Sequence, residues 1–477
     1  MLPNLIHFLL AHAWIAFLSL LFLEGSIFAH ELGHFLAARR CGLKVERFSI
    51  GFGPTIWSRR GRDGVEYRLG LFPILGYVAL PQLVDLGAVE GKSEIDASQL
   101  PPVSYGSKIL VLVAGAGFNI LFAFALACII TVVGQPASNE FETTRVGYVP
   151  STLKLSDGSS VPSPAAAAGL RAGDVVEAID GRKVSDWNDL RLTLGMSSNR
   201  DSRGQPRAVF TIERDGRQLD IPVSPRLASD EKIRQVGISP GFELIAGQVD
   251  PGSVAGEAGF APGDRIVRLD GAPVWSPIAF EDRLYAGRTR SLSATILRDG
   301  RELTIVIPAR PGMKPDADVG IAFSAGLHLI HPSPFAQIRD PLLLTVRSLW
   351  SLINPRSDIG LSEMTGPVGM VRMLGNAAQA GISTVIMLTI LINVNLAVIN
   401  LLPVPVLDGG HILFATIGRL RGRALPVSFI AAAQSAFIVL IASLFLYLSF
   451  MDVRRWGKDI QTDRAAAAAT SAELKSP

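Results

Sequence analysis

Four apolar stretches, each long enough to cross a lipid bilayer as a helix, constrain the fold of this chain more than any other feature. They cover roughly residues 6–38, 109–133, 384–407 and 427–450, and a spanning helix needs about 20 apolar residues. Hydrophobic residues make up 48% of the chain, and its mean hydropathy is +0.34. The first stretch has no Lys or Arg before Arg39, so we interpret it as a retained helix rather than a cleaved signal peptide.

The positive charges between these stretches predict an orientation, because Lys and Arg near helix ends favour the cytoplasmic side. They follow the first stretch and separate the third from the fourth: Arg39, Arg40, Lys44, Arg47, Arg59, Arg60, Arg62, Arg68, Arg419, Arg421 and Arg423. We therefore expect both loops in the cytoplasm and the segment between the second and third stretches on the opposite side, together with the C-terminus. Basic residues at 454–458 argue against that position of the C-terminus. The net charge of +3 gives no reason to expect a nucleic-acid partner.

The long polar segment between the second and third stretches contains an internal repeat. Six residues recur 90 positions later: Gly169, Gly173, Asp174, Asp180, Gly181 and Val184 match Gly259, Gly263, Asp264, Asp270, Gly271 and Val274. A second pair, ERDGRQL from Glu213 and LRDGREL from Leu297, recurs at an offset of 84. Fixed offsets predict two copies of one unit. The repeated pattern resembles the helix, turn and strand core of a PDZ domain, and another small repeated β-domain is the alternative.

Two histidines and a glutamate lie at the C-terminal end of the first apolar stretch, in HELGH from His30 to His34. Residues four apart on a helix return to nearly the same face, so both histidines can reach one metal ion. Glu31 can then reach a water molecule on that ion, as in zinc proteases. Such an ion lowers the pKa of its water to about 7, and the glutamate takes the proton. Polar groups in so apolar a setting need partners, which favours a metal site over a chance match.

A catalytic zinc needs a third protein ligand, and Asp408 at the end of the third stretch is the candidate. Pro403 and Pro405 remove backbone donors and break the helix. Broken backbone inside a membrane is tolerated where it is buried in protein or lines a wet cavity. The alternative is a proline kink followed by an ordinary aspartate at the membrane interface, and the residues alone do not decide between the two.

HELGH on the first stretch, together with NLLPVPVLDGG from Asn400 on the third, resembles the site-2 protease family of intramembrane zinc metalloproteases. Three further segments share the resemblance, which covers nearly the whole chain. The segment from Phe48 to Pro81 resembles the family's membrane-associated β-loop, GAGFN from Gly115 its motif on the second span, and TGPVGM from Thr365 its Gly-Pro segment.

The resemblance implies one zinc ion, bound by His30, His34 and Asp408, with Glu31 as the catalytic base. It also implies that Asn400 positions substrate or stabilises the transition state. His411 is either a further ligand, a donor that supports a ligand, or a polar group at the helix boundary, and we favour the last. No substrate-binding residue is predicted.

The predicted fold class is a membrane α-helical protein with four transmembrane helices, a membrane-associated β-loop and two inserted α+β PDZ domains. The segments are a first transmembrane helix with HELGH (1–40), the β-loop region (41–106), a second transmembrane helix (107–135), the PDZ domains (145–226 and 235–312), an amphipathic connector (313–382), a third, broken transmembrane helix (383–411), a fourth (425–451) and a flexible tail (452–477).

The function implied is proteolysis of single-pass membrane proteins in a bacterial inner membrane, with the active site toward the cytoplasm and the PDZ domains in the periplasm. An anti-sigma factor, first cut by a site-1 protease, is the expected substrate, and signal-peptide remnants are a second; membrane lipid is the surrounding partner. Two other classes compete: a non-catalytic membrane-anchored PDZ scaffold, and a zinc transporter or chelator. The intact Glu31 argues against the scaffold, and the lack of a His-rich loop or repeated broken helix argues against the transporter.

Overall fold

A computed structural model of the chain describes residues 2–83, 99–155, 159–227, 233–314, 318–324, 326–361 and 364–473. Part of the β-loop region, residues 84–98, and the last four residues of the predicted tail lie outside this description. The chain divides into two compact units. The first comprises Met1–Gln135, His331–Arg347 and Met364–Pro477, and the second comprises Pro136–Ile330 and Ser348–Glu363.

The helices, in chain order, are α1 (Leu2–Arg40), α2 (Tyr105–Val133), α3 (Pro164–Ala168), α4 (Trp187–Gly195), α5 (Val254–Ala258), α6 (Pro277–Ala286), α7 (Pro334–Ile353), α8 (Pro367–Ala380), α9 (Ile382–Asn400), α10 (Asp408–Leu420) and α11 (Val427–Glu473).

The strands are β1 (Arg47–Arg60), β2 (Glu66–Ala79), β3 (Gln135–Ala137), β4 (Val146–Tyr148), β5 (Thr152–Lys154), β6 (Ser160–Pro162), β7 (Val175–Ile179), β8 (Arg182–Lys183), β9 (Ala208–Arg214), β10 (Arg217–Val223), β11 (Arg226–Leu227), β12 (Arg234–Gln235), β13 (Ser239–Pro240), β14 (Leu244–Val249), β15 (Arg265–Leu269), β16 (Ala272–Pro273), β17 (Leu292–Arg298), β18 (Arg301–Ile307), β19 (Ile321–Ser324) and β20 (His328–Ile330).

Long apolar helices build the first unit. Within the described residues, three helical segments are long and apolar enough to cross a membrane: Tyr105–Val133, Ile382–Asn400 and Val427–Gln461. The predicted first span is the 39-residue helix α1. Helices α2 and α9 share a buried apolar cluster that includes Leu126, Ile130 and Ile390. Helical backbone satisfies its own hydrogen bonds, which is the condition for a chain segment to lie in lipid.

Hydrogen bonds from two asparagines hold α9 to its neighbours. Asn393, which is fully buried, donates from Nδ2 to Oγ of Ser26 on α1 at 2.8 Å. Asn395 accepts a hydrogen bond from the hydroxyl of Thr345 on α7. Both amides therefore join helices, as buried polar side chains commonly do in membrane proteins.

The long antiparallel hairpin β1–β2 follows α1 directly. Phe48 pairs with Val78 near its base, and both residues belong to a core formed with α1 and α2. Further along the hairpin the side chains of Phe52, Ile56 and Trp57 are exposed. The hairpin thus has an anchored base beside α1 and an apolar outer part.

The third apolar stretch is interrupted where the prolines predict it. Helix α9 ends at Asn400, and α10 begins at Asp408 after a turn that contains Pro403 and Pro405. Any side chain at Gly409 would lie 2.2 Å from the Leu402 carbonyl oxygen. Glycine at this position therefore allows the first turn of α10 to pack closely on the preceding turn of the chain. Asp408 is the first residue of that helix.

The second unit contains two similarly built α+β modules with antiparallel sheets. The first sheet has the strand order β10-β9-β7-β8, and the second has the order β18-β17-β15-β14-β19. Strand β15 follows β7 by 90 residues, and β17 and β18 follow β9 and β10 by 84. These are the two offsets of the repeated motifs, so corresponding motifs occupy corresponding strands.

Each repeated motif places an aspartate against an arginine. Arg214 donates from Nε and Nη2 to both oxygens of Asp174, at 2.7 Å each, and Nη2 also reaches the Gly169 carbonyl at 2.8 Å. Arg298 and Asp264 repeat this geometry in the second module, also at 2.7 Å. A bidentate pair of this kind fixes both side chains. It explains why the aspartate and the arginine recur together although they lie 40 residues apart in the first module and 34 in the second.

The structure differs from two predicted module boundaries and from the predicted flexibility of the tail. The core of the first module includes Val236, beyond the predicted end at 226, and that of the second includes Val319 and Ile321, beyond 312. Short strands returning from downstream complete each core, and their sequences carry no repeated motif. The tail predicted as flexible continues α11 as helix to Glu473, because its run of five alanines, 465–469, has the highest helix propensity of any residue type.

Candidate metal centre

Three side chains converge where the end of α1 meets the start of α10. His30 and His34 lie one helical turn apart, with their Nε2 atoms 3.1 Å from each other. Oδ2 of Asp408 lies 3.3 Å from Nε2 of His30 and 3.4 Å from Nε2 of His34. The broken third stretch thus delivers its carboxylate to the two histidines, although 374 residues separate His34 from Asp408 in the sequence.

These distances fit a zinc ion. Ligand atoms about 2.0–2.2 Å from one ion in tetrahedral geometry lie about 3.3 Å from each other, and two imidazoles with one carboxylate form a known catalytic donor set. Oδ2 of Asp408 is buried and makes no hydrogen bond within the described residues. A buried carboxylate oxygen without a donor is costly, and a cation at this point removes that cost.

The histidines are held in the tautomer that metal binding requires. Nδ1 of His34 lies 2.8 Å from the carbonyl oxygen of Val111 on α2 and donates its proton to it, which leaves Nε2 free of a proton. Asn119, fully buried on α2, places its side-chain amide 3.4 Å from Nδ1 of His30. Its oxygen makes no hydrogen bond to any described residue, so turning the amide by 180° allows it to accept from His30. Such partners orient ligand rings and raise their basicity.

Two glycines allow α2 to approach the histidines, and sequence reasoning overlooked both. A Cβ atom at Gly115 would lie 2.5 Å from Nε2 of His34, and one at Gly33 would lie 2.4 Å from the Ala114 carbonyl oxygen. Both contacts are shorter than any real Cβ contact. The central glycine of HELGH and the first glycine of GAGFN were the available signal, because small residues mark close helix packing in membranes.

Glu31 lies next to the histidines and faces the hairpin. Its side chain is 9% exposed, and the backbone N–H of Val78 on β2 lies beside its carboxylate. Its second oxygen, Oε2, makes no hydrogen bond within the described residues. A Cβ at Gly76 would lie 3.2 Å from Cγ of Glu31. The carboxylate is thus enclosed between α1 and β2, with one oxygen available for a water molecule or a substrate group.

The other two predicted candidates are Asn400 and His411. Asn400 is the last residue of α9, and its side chain is partly buried. His411 is buried in the first turn of α10, where Nε2 lies 3.5 Å from the amide of Gln434 on α11. In the part of the chain that the structure describes, the ligand atoms that come within 4.8 Å of one another belong to His30, His34 and Asp408.

The structure adds one ionisable residue that the motifs did not indicate. Glu24 lies on α1 two turns before Glu31, and its two carboxylate oxygens are buried without a hydrogen bond to the described residues. A charge within an apolar stretch was the available signal.

The sequence profile of peptidase family M50 matches residues 17–444, which include α1 from residue 17 onward, both halves of the broken stretch and all three converging side chains. The chain belongs to peptidase family M50. As an M50 peptidase, the site-2 protease family, it is a membrane zinc metalloprotease.

Curated relatives cover most of this M50 peptidase. The regulator of sigma-E protease RseP of Escherichia coli is 31% identical over 457 residues, which cover 89% of this chain and 95% of the relative. Protease RseP of Yersinia pestis is 30% identical over 476 residues, with the same coverage. A protein of Ralstonia nicotianae named as a zinc metalloprotease is 31% identical over 462 residues, covering 88% and 95%.

Proposed function

We propose that this M50 peptidase cuts single-pass membrane proteins within or near their spans, using His30, His34 and Asp408 as zinc ligands and Glu31 as the catalytic base. The observation that carries the proposal is the meeting of three ligand atoms from two apolar segments, within 3.4 Å of one another, beside a buried glutamate. Such a group at the end of a membrane helix is a site for chemistry on a peptide bond that lies in the membrane.

The residues have separate roles in this proposal. Zinc, when bound, lowers the pKa of a water molecule and polarises the substrate carbonyl. Glu31 takes the proton of the attacking water and gives it to the leaving amine, which requires a carboxylate oxygen not used by another described residue, as Oε2 is. Val111 and Asn119 hold the imidazoles in position. Asn400, at the end of α9, binds substrate or stabilises the transition state.

Substrate must be unwound before it is cut, because a helix hides its peptide bonds. In the described residues, β2 pairs with β1 along one edge only, and its Gly76 lies against Glu31. An extended segment can add to an open strand edge through backbone hydrogen bonds. We therefore assign β2 the role of holding the substrate strand beside the catalytic carboxylate.

The remaining parts of the proposal concern topology and partners. We propose that α1 is a fourth spanning helix, that the loops after α1 and α10 face the cytoplasm, and that the two modules are periplasmic PDZ domains. The repeated motifs lie on corresponding strands of the two modules, which supports two copies of one domain. A relative named as a regulator of sigma-E protease supports an anti-sigma factor as substrate, following a first cut by a site-1 protease. Signal-peptide remnants are a second substrate class.

Glu31→Gln tests the chemistry. The variant should retain zinc and lose at least about 100-fold in the cleavage rate of a single-pass substrate, since a general base contributes about 10²–10⁴. Glu243→Gln, on an exposed glutamate of the second unit, is the matched control and should cleave at the parent rate. Full cleavage by Glu31→Gln would exclude Glu31 as the base and favour a scaffold in which another protein does the cutting.

A further inference from the structure

Glu24 is a buried carboxyl group that the proposed mechanism does not use. It lies in the middle of an apolar helix, in the sequence LFLEGS. Both of its oxygens are buried and form no hydrogen bond with any described residue. Ionisable groups inside membrane helices are expensive, and those that persist are commonly part of a substrate or proton path.

The position of Glu24 on α1 points it toward the side of the hairpin. Seven residues separate it from Glu31, which corresponds to a rotation of about 20° and a rise of about 10 Å. Ile27, between them on the same side, would lie 3.2 Å from a Cβ at Gly76 of β2, as would Glu31. Glu24 therefore extends the face of α1 that meets β2, two turns away from the metal ligands.

The neighbours of Glu24 contact other elements. Gly25 faces Phe122 of α2, and Ser26 bonds to Asn393 of α9. These contacts to α2 and α9 are made by the two residues that follow Glu24 and not by Glu24 itself. The described protein supplies no donor for its carboxyl group, so a hydrogen-bond donor brought by a bound molecule would relieve the cost of burying it.

We propose that Glu24 forms a specificity subsite that accepts a hydrogen-bond-donating side chain of the substrate. The inference rests on the proposed function, in which an extended substrate lies along β2 beside Glu31. An extended strand rises about 3.3 Å per residue, so 10 Å corresponds to about three residues. The donor side chain therefore lies about three residues from the scissile peptide bond, on the side that extends toward the N-terminal half of α1.

A substrate series tests this subsite. Single-pass substrates carry either Gln or Leu at each position from two to four residues on both sides of the cleaved bond. They are cut by the full-length parent, Glu24→Gln, Glu24→Leu and the control Leu21→Gln, which alters an exposed side chain of the same helix. The zinc content of each variant shows that the site has assembled.

At one position, on one side of the cleaved bond, we expect the parent to cut the Gln substrate about tenfold faster than the Leu substrate, because Leu leaves the buried carboxyl group of Glu24 unpaired. This ratio of the two cleavage rates should fall to about 1 in Glu24→Leu. It should be partly kept in Glu24→Gln and unchanged in Leu21→Gln. An equal ratio in the parent and Glu24→Leu, with zinc retained, would overturn the subsite while leaving the proposed protease function intact. No cleavage of any substrate by the zinc-loaded parent would overturn both.

Discussion

Gly115 of α2 lies directly against the imidazole of His34. An added Cβ would be 2.5 Å from Nε2, the atom that points to the metal position, and 2.7 Å from Cε1 of His30. Gly115→Ala should therefore displace a ligand ring and lower zinc affinity by about 10–100-fold, the range seen when the surroundings of a ligand are altered. Zinc titration of the purified protein measures this.

Gly117→Ala is the matched control, because a Cβ at Gly117 meets nothing within 4 Å. It makes the same chemical change two residues along the same helix and should bind zinc like the parent. Equal affinities in Gly115→Ala and Gly117→Ala would contradict the close approach of α2 to the histidines.

A buried ion pair in the second unit joins Arg234 to Asp358. Nε of Arg234 donates to Asp358 at 2.7 Å, and the arginine side chain is 0% exposed. Arg234→Met should lower the free energy of unfolding of the first module by about 3–5 kcal/mol, since it leaves a buried carboxylate with fewer partners. Amide hydrogen exchange of β9 in the full-length protein measures the loss.

The control for this pair is Arg265→Met. Arg265 pairs with Glu243 on the surface, where the two side chains are 47% and 54% exposed. Exposed pairs contribute about 0–1 kcal/mol, so exchange should change little. Losses of similar size in both variants would show that burial does not set the strength of the Arg234–Asp358 pair.

The lowered pKa of Asp264 predicts that the stability of the second module depends on pH. Burial raises this pKa, but the two hydrogen bonds from Arg298 and the N–H of Ala261 outweigh burial and hold it below its ordinary value of 3.8. The unfolded chain therefore binds the proton first as the pH falls. The stability that the carboxylate contributes is complete above about pH 4 and is lost as the pH falls through the lower, folded-state pKa.

Pulse proteolysis with pepsin at increasing urea concentrations measures the stability of the second module at several pH values between 5 and 2. We expect the stability of the second module to fall less steeply with pH in Asp264→Asn than in the parent. Asp299→Asn, in an exposed turn between β17 and β18, is the control and should follow the parent. Parallel curves for the parent and Asp264→Asn would exclude Asp264 as the titrating group.

Asp452 of α11 caps the N-terminus of α8. Its carboxylate accepts hydrogen bonds from the N–H of Gly366 at 3.2 Å and of Gly369 at 2.7 Å. Asp452→Ala should destabilise α8 by about 1–2 kcal/mol, the value of a helix cap, seen as faster amide exchange in that helix. Asp459→Ala, which removes only a half-exposed pair with Arg372, should have little effect. Equal exchange in both variants would contradict the cap.

Local patterns predicted the parts of this protein that depend on near neighbours in sequence. The spacing of His30 and His34 follows from one helical turn, and Pro403 and Pro405 mark the break that precedes Asp408. The two repeat offsets predicted corresponding strands in both modules. For the histidines and the break, the physical cause is helical periodicity or a missing backbone donor, which is a property of a few adjacent residues.

The parts that were missed depend on contacts between distant segments. Gly115 becomes significant only when α2 lies against α1, and Val236 joins its core through a return of the chain. Asp452 lay in a tail predicted to be flexible, yet it is buried because it caps α8. The choice between an interfacial aspartate and a ligand at Asp408 was likewise open from the residues alone, because tertiary structure brings it to His30.

The most direct test of the account is the zinc content of the purified full-length protein compared with that of Asp408→Ala, prepared identically. Asp459→Ala, an exposed aspartate on α11, is the control for the substitution itself. We predict about one zinc per chain in the parent and the control, and much less in Asp408→Ala, because a three-ligand site loses its carboxylate. Equal zinc in the parent and Asp408→Ala would contradict a site assembled across the two helices, and would make His411 the next ligand to test.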